Sequence, residues 1–182
     1  MKFTATAIPG AFVVDPEPIA DERGFFARVW CAGELAAHGL VSTLAQASVS
    51  WNRARGTLRG MHYQAAPHAE AKLVSCTRGA IFDVLVDLRP GAGVAGAPRW
   101  LGEELTAANR RMLYVPAGVA HGFLTLADDT EVHYAISVPY DAASARGVRY
   151  DDPAFAIRWP APPVVISARD ASFPDFWPGA VA

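Results

Sequence analysis

The sequence predicts an all-β fold, and three observations carry that prediction. Fifteen Gly and fourteen Pro are spread along the whole chain instead of gathering in a linker, and they separate short apolar runs. Turn residues at that frequency mark many short strands, hence a sandwich or a barrel. The run Ile81 to Leu88 alternates, with Phe82, Val84, Val86 and Leu88 on one face and Asp83, Leu85 and Asp87 on the other, the period-two signature of a strand. Finally, Gly56-Thr57-Leu58-Arg59-Gly60-Met61-His62-Tyr63-Gln64 interleaves polar groups with Leu, Met and Tyr between glycines. It reads as one strand of a barrel wall whose polar face looks into a pocket. With 182 residues and 52% hydrophobic content, the chain is expected to form one domain, residues 1–182, with room for a core.

The elements follow in order. Ala7 to Val14 alternates until Pro16 and Pro18 break it. Asp21-Glu22-Arg23-Gly24-Phe25-Phe26 is an acidic turn leading to an arginine beside two aromatics. It reads either as a hairpin turn with a buried Phe pair or as an anion contact from Arg23 with an aromatic face for a flat ring. Glu34 to His38 makes a short helix closed by Gly39. Leu44 to Trp51 alternates and leads into the Gly56–Gln64 strand, and Lys72 to Arg78 is a strand that turns at Gly79. Beyond Ile81–Leu88, Pro90 to Pro98 is a loop and Trp100 to Leu105 a short strand. Met112 to Val115 is ended by Pro116, and strands follow at His121–Leu126 and Glu131–Val138. Pro160, Pro162 and Pro163 break up an extended tail, after which Ser167-Ala168-Arg169-Asp170 has capping-box spacing at the start of a short helix.

Composition excludes several classes. A net charge of −2 offers no global attraction to nucleic acid or to a membrane surface, although local basic clusters can still hold an anion such as a diphosphate. Cys31 and Cys76 are too few for a disulfide framework, no secretory signal opens the chain, and no apolar run is long enough to cross a bilayer. A soluble cytoplasmic protein is expected.

Two of the five histidines, His62 and His121, lie in comparable strand contexts, each near a glycine, which suggests a shared pocket. One use of such a pocket is a metal, since imidazoles and carboxylates from neighbouring strands are ordinary ligands. Pro116-x-Gly118-x-x-His121 resembles the second half of the cupin metal signature, but Gln64 stands where its second histidine belongs and Thr125 where an asparagine is expected. His68 and Glu70 are the available substitutes, and they fall in the Ala65–Ala71 segment, which reads as a loop. No metal is therefore expected. The other use is acid–base chemistry beside a ketone, which needs a base, an orienting partner, enolate stabilisation and an acid. His62 suits the base, since its unperturbed pKa is near neutrality. Asp170 would orient it, although a helix cap is the plainer reading of that residue. Tyr134 is a candidate acid, and Lys72 or His121 a candidate for the enolate oxygen.

Those residues, taken together with Leu58–Gln64, Lys72-Leu73-Val74, Asp83–Arg89, Val115-Pro116-x-Gly118-x-Ala120-His121-Gly122-Phe123 and Ser167–Asp170, resemble the dTDP-4-dehydrorhamnose 3,5-epimerases over nearly the whole chain. These are metal-free members of the cupin superfamily. The resemblance implies a jelly-roll β-barrel with a few short helices, usually a homodimer. It implies a cofactor-independent epimerase acting on a nucleotide-linked 4-keto-6-deoxy sugar. By position His62 is like the family's base, Asp170 its partner and Tyr134 the acid on the opposite face of the ring, while Tyr140 is a second phenol nearby. Arg23, Arg59, Lys72, His121 and Arg169 match positions that contact sugar, diphosphate or nucleotide; Phe26, Gln46 and Ser48 fall in further contact segments. Arg28 and Arg146 stand where the family often has Glu, which changes what the pocket rim accepts by hydrogen bonding. The nucleotide base, and the choice of C3, C5 or both, stay open. So do two rival readings: a metal-dependent cupin oxygenase or isomerase, and a non-catalytic nucleotide-sugar-binding barrel.

One conflict lies inside the central strand. Strict alternation puts His62 on one face and Arg59 on the other. If both touch one substrate, the strand must kink or bulge near Gly60.

Overall fold

A computed structural model describes residues 1–92 and 99–176. Two short N-terminal strands, β1 (Lys2–Ala5) and β2 (Phe12–Asp15), precede a separate hairpin of β3 (Ile19–Asp21) and β4 (Gly24–Phe26) and a one-and-a-half-turn helix, α1 (Ala32–Ala37). The long wall strands are β5 (Gln46–Asn52), β6 (Thr57–Gln64), β7 (Lys72–Arg78), β8 (Ala80–Asp87), β9 (Arg99–Thr106), β10 (Met112–Val115), β11 (Val119–Thr125) and β12 (Thr130–Ile136). Two short strands, β13 (Ala145–Gly147) and β14 (Val165–Ile166), and a single helical turn, α2 (Ala168–Ala171), complete the described elements.

One sheet runs β1-β2-β10-β7-β12-β5; the facing one runs β13-β6-β11-β8-β9, with β14 added in parallel to β6. From β5 to β8 each successive strand crosses to the opposite sheet, and β10 to β12 do so again. This is the interleaving of a jelly roll. The strands predicted at Lys72–Arg78 and Met112–Val115 match to the residue. β1 is an addition, and Ala7–Val14 contains a turn before β2 begins at Phe12. The helix closes as expected: Gly39 at φ +70° follows the His38 cap. In the Pro90–Pro98 loop, residues 93–98 lie outside the described residues.

Between the sheets, Val13, Val74, Ile81, Leu85, Leu113, Val115, Phe123 and Val132 form the interior core. Both sheets also bury part of their outer faces. Met61, Tyr63, Val84, Val86 and Leu88 are covered by Phe155, Ile157, Trp159 and Phe176 from the C-terminal segment. Leu73, Met112 and Tyr114 are covered by Leu35 of α1 and by Trp30 and Leu40 around it. These coverings explain why β8 is apolar on both faces. They also turn the Asp83 and Asp87 face inward, where both side chains are buried.

The hairpin departs from one expectation. Phe25 and Phe26 are exposed, at 48% and 73%, so there is no buried Phe pair. The two three-residue strands stand apart from both sheets, and the Arg110 guanidinium carbon lies 4.3 Å from the Phe25 ring centre.

Candidate active site

The central strand contains the predicted irregularity. Opposite β11, His62 pairs with His121 and Arg59 with Phe123. Gly60 and Met61 therefore face the single residue Gly122, a bulge of one residue. Its cause is local. A Cβ on Gly122 would lie 2.8 Å from the Arg59 carbonyl oxygen, and one on Gly60 would lie 2.7 Å from the Gly122 Cα. Gly60 also holds φ +151°, open to glycine and strained for other residues. The bulge flips the strand's phase. Arg59 and His62 both line the interior pocket, while Met61 packs on the outer core.

That pocket has a volume of about 300 Å³. β5 contributes Gln46, Ser48 and Ser50, alternate residues of one strand. β7 contributes Lys72, β11 His121, β12 Tyr134, β13 Arg146 and α2 Arg169. Of the residues singled out in the sequence, His62, Tyr134, Gln46, Ser48, Arg59, Lys72, His121 and Arg169 thus meet in one cavity, with Tyr140 also on its wall. Arg23 and Phe26 do not. Arg23 is 83% exposed and paired with Asp21, and neither residue lines the pocket of its own chain. Arg28 is bound to Glu34 at 2.7 Å away from the pocket, whereas Arg146 is on the wall with one guanidinium nitrogen held by the Ala143 carbonyl.

His62 Nε2 lies 2.8 Å from Asp170 Oδ1, and the Gly60 N–H donates to the other carboxylate oxygen at 3.2 Å. α2 starts with Ser167, whose hydroxyl accepts from the Asp170 N–H. The capping reading and the orienting reading are thus both realised: Ser167 caps, and Asp170 uses its carboxylate on His62. Burial pushes that carboxyl up, but the His62 contact and the Gly60 N–H outweigh it and hold it below its ordinary range. An ionised carboxylate only accepts, so His62 Nε2 is the donor in this contact, and in the neutral imidazole the lone pair is then on Nδ1. Phe173 flanks the imidazole edge-on at 5.9 Å.

Tyr134 comes from the opposite sheet. Burial pushes its phenol up to about 12, with the Ser50 hydroxyl at 3.2 Å offsetting part of the rise. Tyr140 is 60% exposed at the mouth. His121, on the strand next to that of His62, and Lys72, on the strand next to that of Tyr134, line the same cavity. His121 Nε2 meets Asp83 Oδ1 at 2.7 Å, and Lys72 Nζ meets Glu70 Oε1 at 2.7 Å. Sequence reading missed the Asp83 partnership and weighed Glu70 only as a metal ligand. An aspartate set between Phe82 and Val84 in the middle of a buried strand was the available signal for Asp83. His68 bonds the Ser144 hydroxyl at 2.9 Å and is half exposed, away from Glu70's pairing. Among the described residues no group of three or more His, Cys, Asp or Glu side chains converges as a metal cluster.

The family described as dTDP-4-dehydrorhamnose 3,5-epimerase matches residues 5–177. The chain belongs to this family. It is 42% identical, over 96% of its length and 89% of the relative's, to the dTDP-4-dehydrorhamnose 3,5-epimerase of Sinorhizobium fredii. It is 39% identical, over 93% of its length and 81% of the relative's, to the dTDP-4-dehydrorhamnose 3-epimerase of Streptomyces niveus. The crystal structure of the Bacillus anthracis 3,5-epimerase with TDP and PPi bound superposes at a TM-score of 0.90 with 36% identity, covering 96% of this chain and 99% of that one. Relatives that act on both carbons and relatives that act on C3 alone are therefore comparably similar to it.

Proposed function

We propose that this member of the family epimerises C3, C5 or both in a dTDP-linked 4-keto-6-deoxyhexose, as a step of deoxysugar biosynthesis in the cytoplasm. The observation that carries the reading is the placement of a His–Asp base and a protonated phenol on opposite walls of one cavity, with Lys72 and His121 lining the same cavity. A flat enolate bound between the two sheets would present one face to each.

In the proposed sequence His62 Nδ1 takes the proton from the carbon beside the C4 ketone, and Asp170 stabilises the imidazolium that forms. The electron pair of the broken C–H bond moves onto the ketone oxygen, held by Lys72 or His121. Tyr134 then gives its proton to the same carbon from the other face. A phenol pushed up to about 12 holds that proton throughout the neutral range, as the donor step requires. Exchange with water resets both groups. The substrate's own ketone acidifies its neighbouring C–H bonds, so the route draws on no further cofactor. Arg59 and Arg169 suit the diphosphate through charge-assisted hydrogen bonds.

The homodimer is part of the proposal. If Arg23 and Phe26 contact substrate as the resemblance implies, they do so in a second copy's pocket, since both stand exposed outside their own. Mixing Arg23→Ala chains with His62→Ala chains should then restore activity that neither variant has alone. Restoration failing in a confirmed mixed dimer sinks the shared site.

The reading as a whole is tested in heavy water with nucleotide-linked 4-keto-6-deoxyglucose carrying dTDP, CDP, UDP or GDP. Deuterium should enter C3, C5 or both, fastest with dTDP. Tyr134→Phe should keep exchange and lose inversion, because His62 can still return a deuteron to the face it came from. Absence of exchange with all four nucleotides would overturn the epimerase reading.

A further inference from the structure

A carboxylate inside a pocket built for an anion calls for an explanation. Glu70 lines the cavity beside Arg59, Arg146 and Arg169, although like charge to the diphosphate is unfavourable there. Its side chain is only 9% exposed, and that of its partner Lys72 only 10%. Removing two such groups from water costs several kcal/mol per ion before attraction and hydrogen bonds repay it. The pairing uses one oxygen, with Lys72 Nζ 2.7 Å from Oε1. The side chain that carries Oε2 lies on the pocket wall. Glu70 sits in the loop just before β7, so Lys72 at the strand's first residue and Glu70 present adjacent donor and acceptor heads to the cavity.

An α-hydroxy ketone is the complement of that pair. Its carbonyl oxygen accepts, its neighbouring hydroxyl donates, and the two oxygens are about a hydrogen-bond length apart, as are Nζ and Oε1. We propose that the Lys72–Glu70 ion pair reads the C4 ketone and C3 hydroxyl of the sugar together, with Glu70 as the residue that selects a 3-hydroxyl. This rests on the epimerase reading with Lys72 on the ketone oxygen, and it fixes which way round the ring lies. C5, on the other side of the ketone, carries a methyl group and the ring oxygen and has no hydrogen to donate to a carboxylate. The C3 edge of the ring therefore turns toward the start of β7. A site that holds a substrate hydroxyl with a buried polar group also rejects analogues lacking it, because the protein group is left unpaired.

The test compares deuterium exchange at one carbon, C5, for dTDP-4-keto-6-deoxyglucose and for its 3-deoxy analogue, in wild type, Glu70→Ala and Glu70→Gln. A hydrogen bond to a charged group is worth about 1.5–3 kcal/mol, or roughly ten- to a hundredfold in kcat/KM. Wild type should prefer the 3-hydroxy substrate by at least that factor, and both variants should shrink the preference tenfold or more. The isosteric Gln variant keeps the measurement possible if the Ala variant does not fold. Equal losses on the two substrates would show that Glu70 acts only through Lys72 and would overturn the proposal. So would a wild type indifferent to the hydroxyl. If wild type exchanges C3 alone, the same comparison is read at C3, which keeps an acidic hydrogen beside the ketone in both substrates; a wild type that exchanges neither carbon of dTDP-4-keto-6-deoxyglucose would instead sink the epimerase reading beneath it.

Discussion

Two His–Asp pairs stand side by side in this barrel and differ in almost everything but composition. His62 and His121 are register partners on adjacent strands. The carboxylate on His62 arrives from α2, more than a hundred residues away in the chain, and the imidazole it holds is 39% exposed to the cavity. The carboxylate on His121 comes from the neighbouring strand β8, and that pair is closed off, at 5% and 0% exposure. Asp170 uses both oxygens, on His62 and on the Gly60 N–H; Asp83 leaves Oδ2 buried with no hydrogen-bond partner among the described residues. A base must exchange its proton with substrate and then with water, which the open pair can do. The closed pair is arranged to keep His121 fixed against the cavity and beside the Tyr134 ring, 6.2 Å away edge-on. Under the proposed mechanism, identical side-chain pairs thus acquire different uses through burial and the number of donors around each carboxylate.

Replacing each aspartate by asparagine would break that distinction most visibly. Asp170→Asn removes the charge that fixes the His62 tautomer and stabilises its imidazolium, and solvent exchange should fall about 10²- to 10⁴-fold, the range of general base catalysis. In Asp83→Asn the amide oxygen still accepts from His121, so the loss in exchange rate should be at least tenfold smaller. Comparable losses in a steady-state exchange assay would mean that both pairs lie on the proton path.

The bulge that brings the two pairs into register gives the next largest effect. In Gly122→Ala the new methyl would meet the Arg59 carbonyl oxygen, the Gly60 Cα and the Met61 sulfur, all under 3 Å. Overpacking of this kind costs about 1–3 kcal/mol. Gly33→Ala in α1 is the control, since a Cβ there would meet the Cys31 sulfur at an ordinary 4.0 Å and alanine favours a helix by roughly 0.5–1 kcal/mol. Thermal unfolding should separate the two substitutions in sign. A Gly122→Ala protein as stable as wild type, with full exchange activity, would show that the close strand approach is not needed to align the dyads.

The same residues show what was legible in the sequence. The wall strands are readable where a stop signal bounds them, as Gly79 ends β7 and Pro116 ends β10. β1 is not readable, because Lys2–Ala5 buries little and so carries no enforced alternation. The bulge follows from the demand that Arg59 and His62 share a pocket, a demand supplied by resemblance and unreadable from periodicity. Asp83 shows the opposite limit. Alternation in β8 separates two faces without saying which is interior, and that is settled by Phe155, Trp159 and Phe176 covering the more apolar one. Contacts such as His62–Asp170 join distant segments, and no local pattern encodes them.

Acid titration gives the smallest effect and the sharpest contrast between the pairs, because the two carboxyls are shifted in opposite directions. Burial dominates at Asp83 and raises its pKa, with His121 and Lys72 only partly opposing it. The folded state therefore takes up this proton before the unfolded chain does, and its contribution to stability declines as pH rises from the unfolded value of about 3.9 through the raised folded value. Asp170 is shifted down, so its contribution is present above about 3.9 and is lost as pH falls below that toward the folded value. Tm measured from pH 7 downward for wild type and the two asparagine variants should reflect both signs. Relative to Asp83→Asn, wild type should gain stability on acidification, beginning above pH 4. Relative to Asp170→Asn, it should lose stability, and only below about pH 4. If the two differences instead follow the same course, the carboxyls share one environment, and the division between an open working pair and a closed positioning pair does not hold.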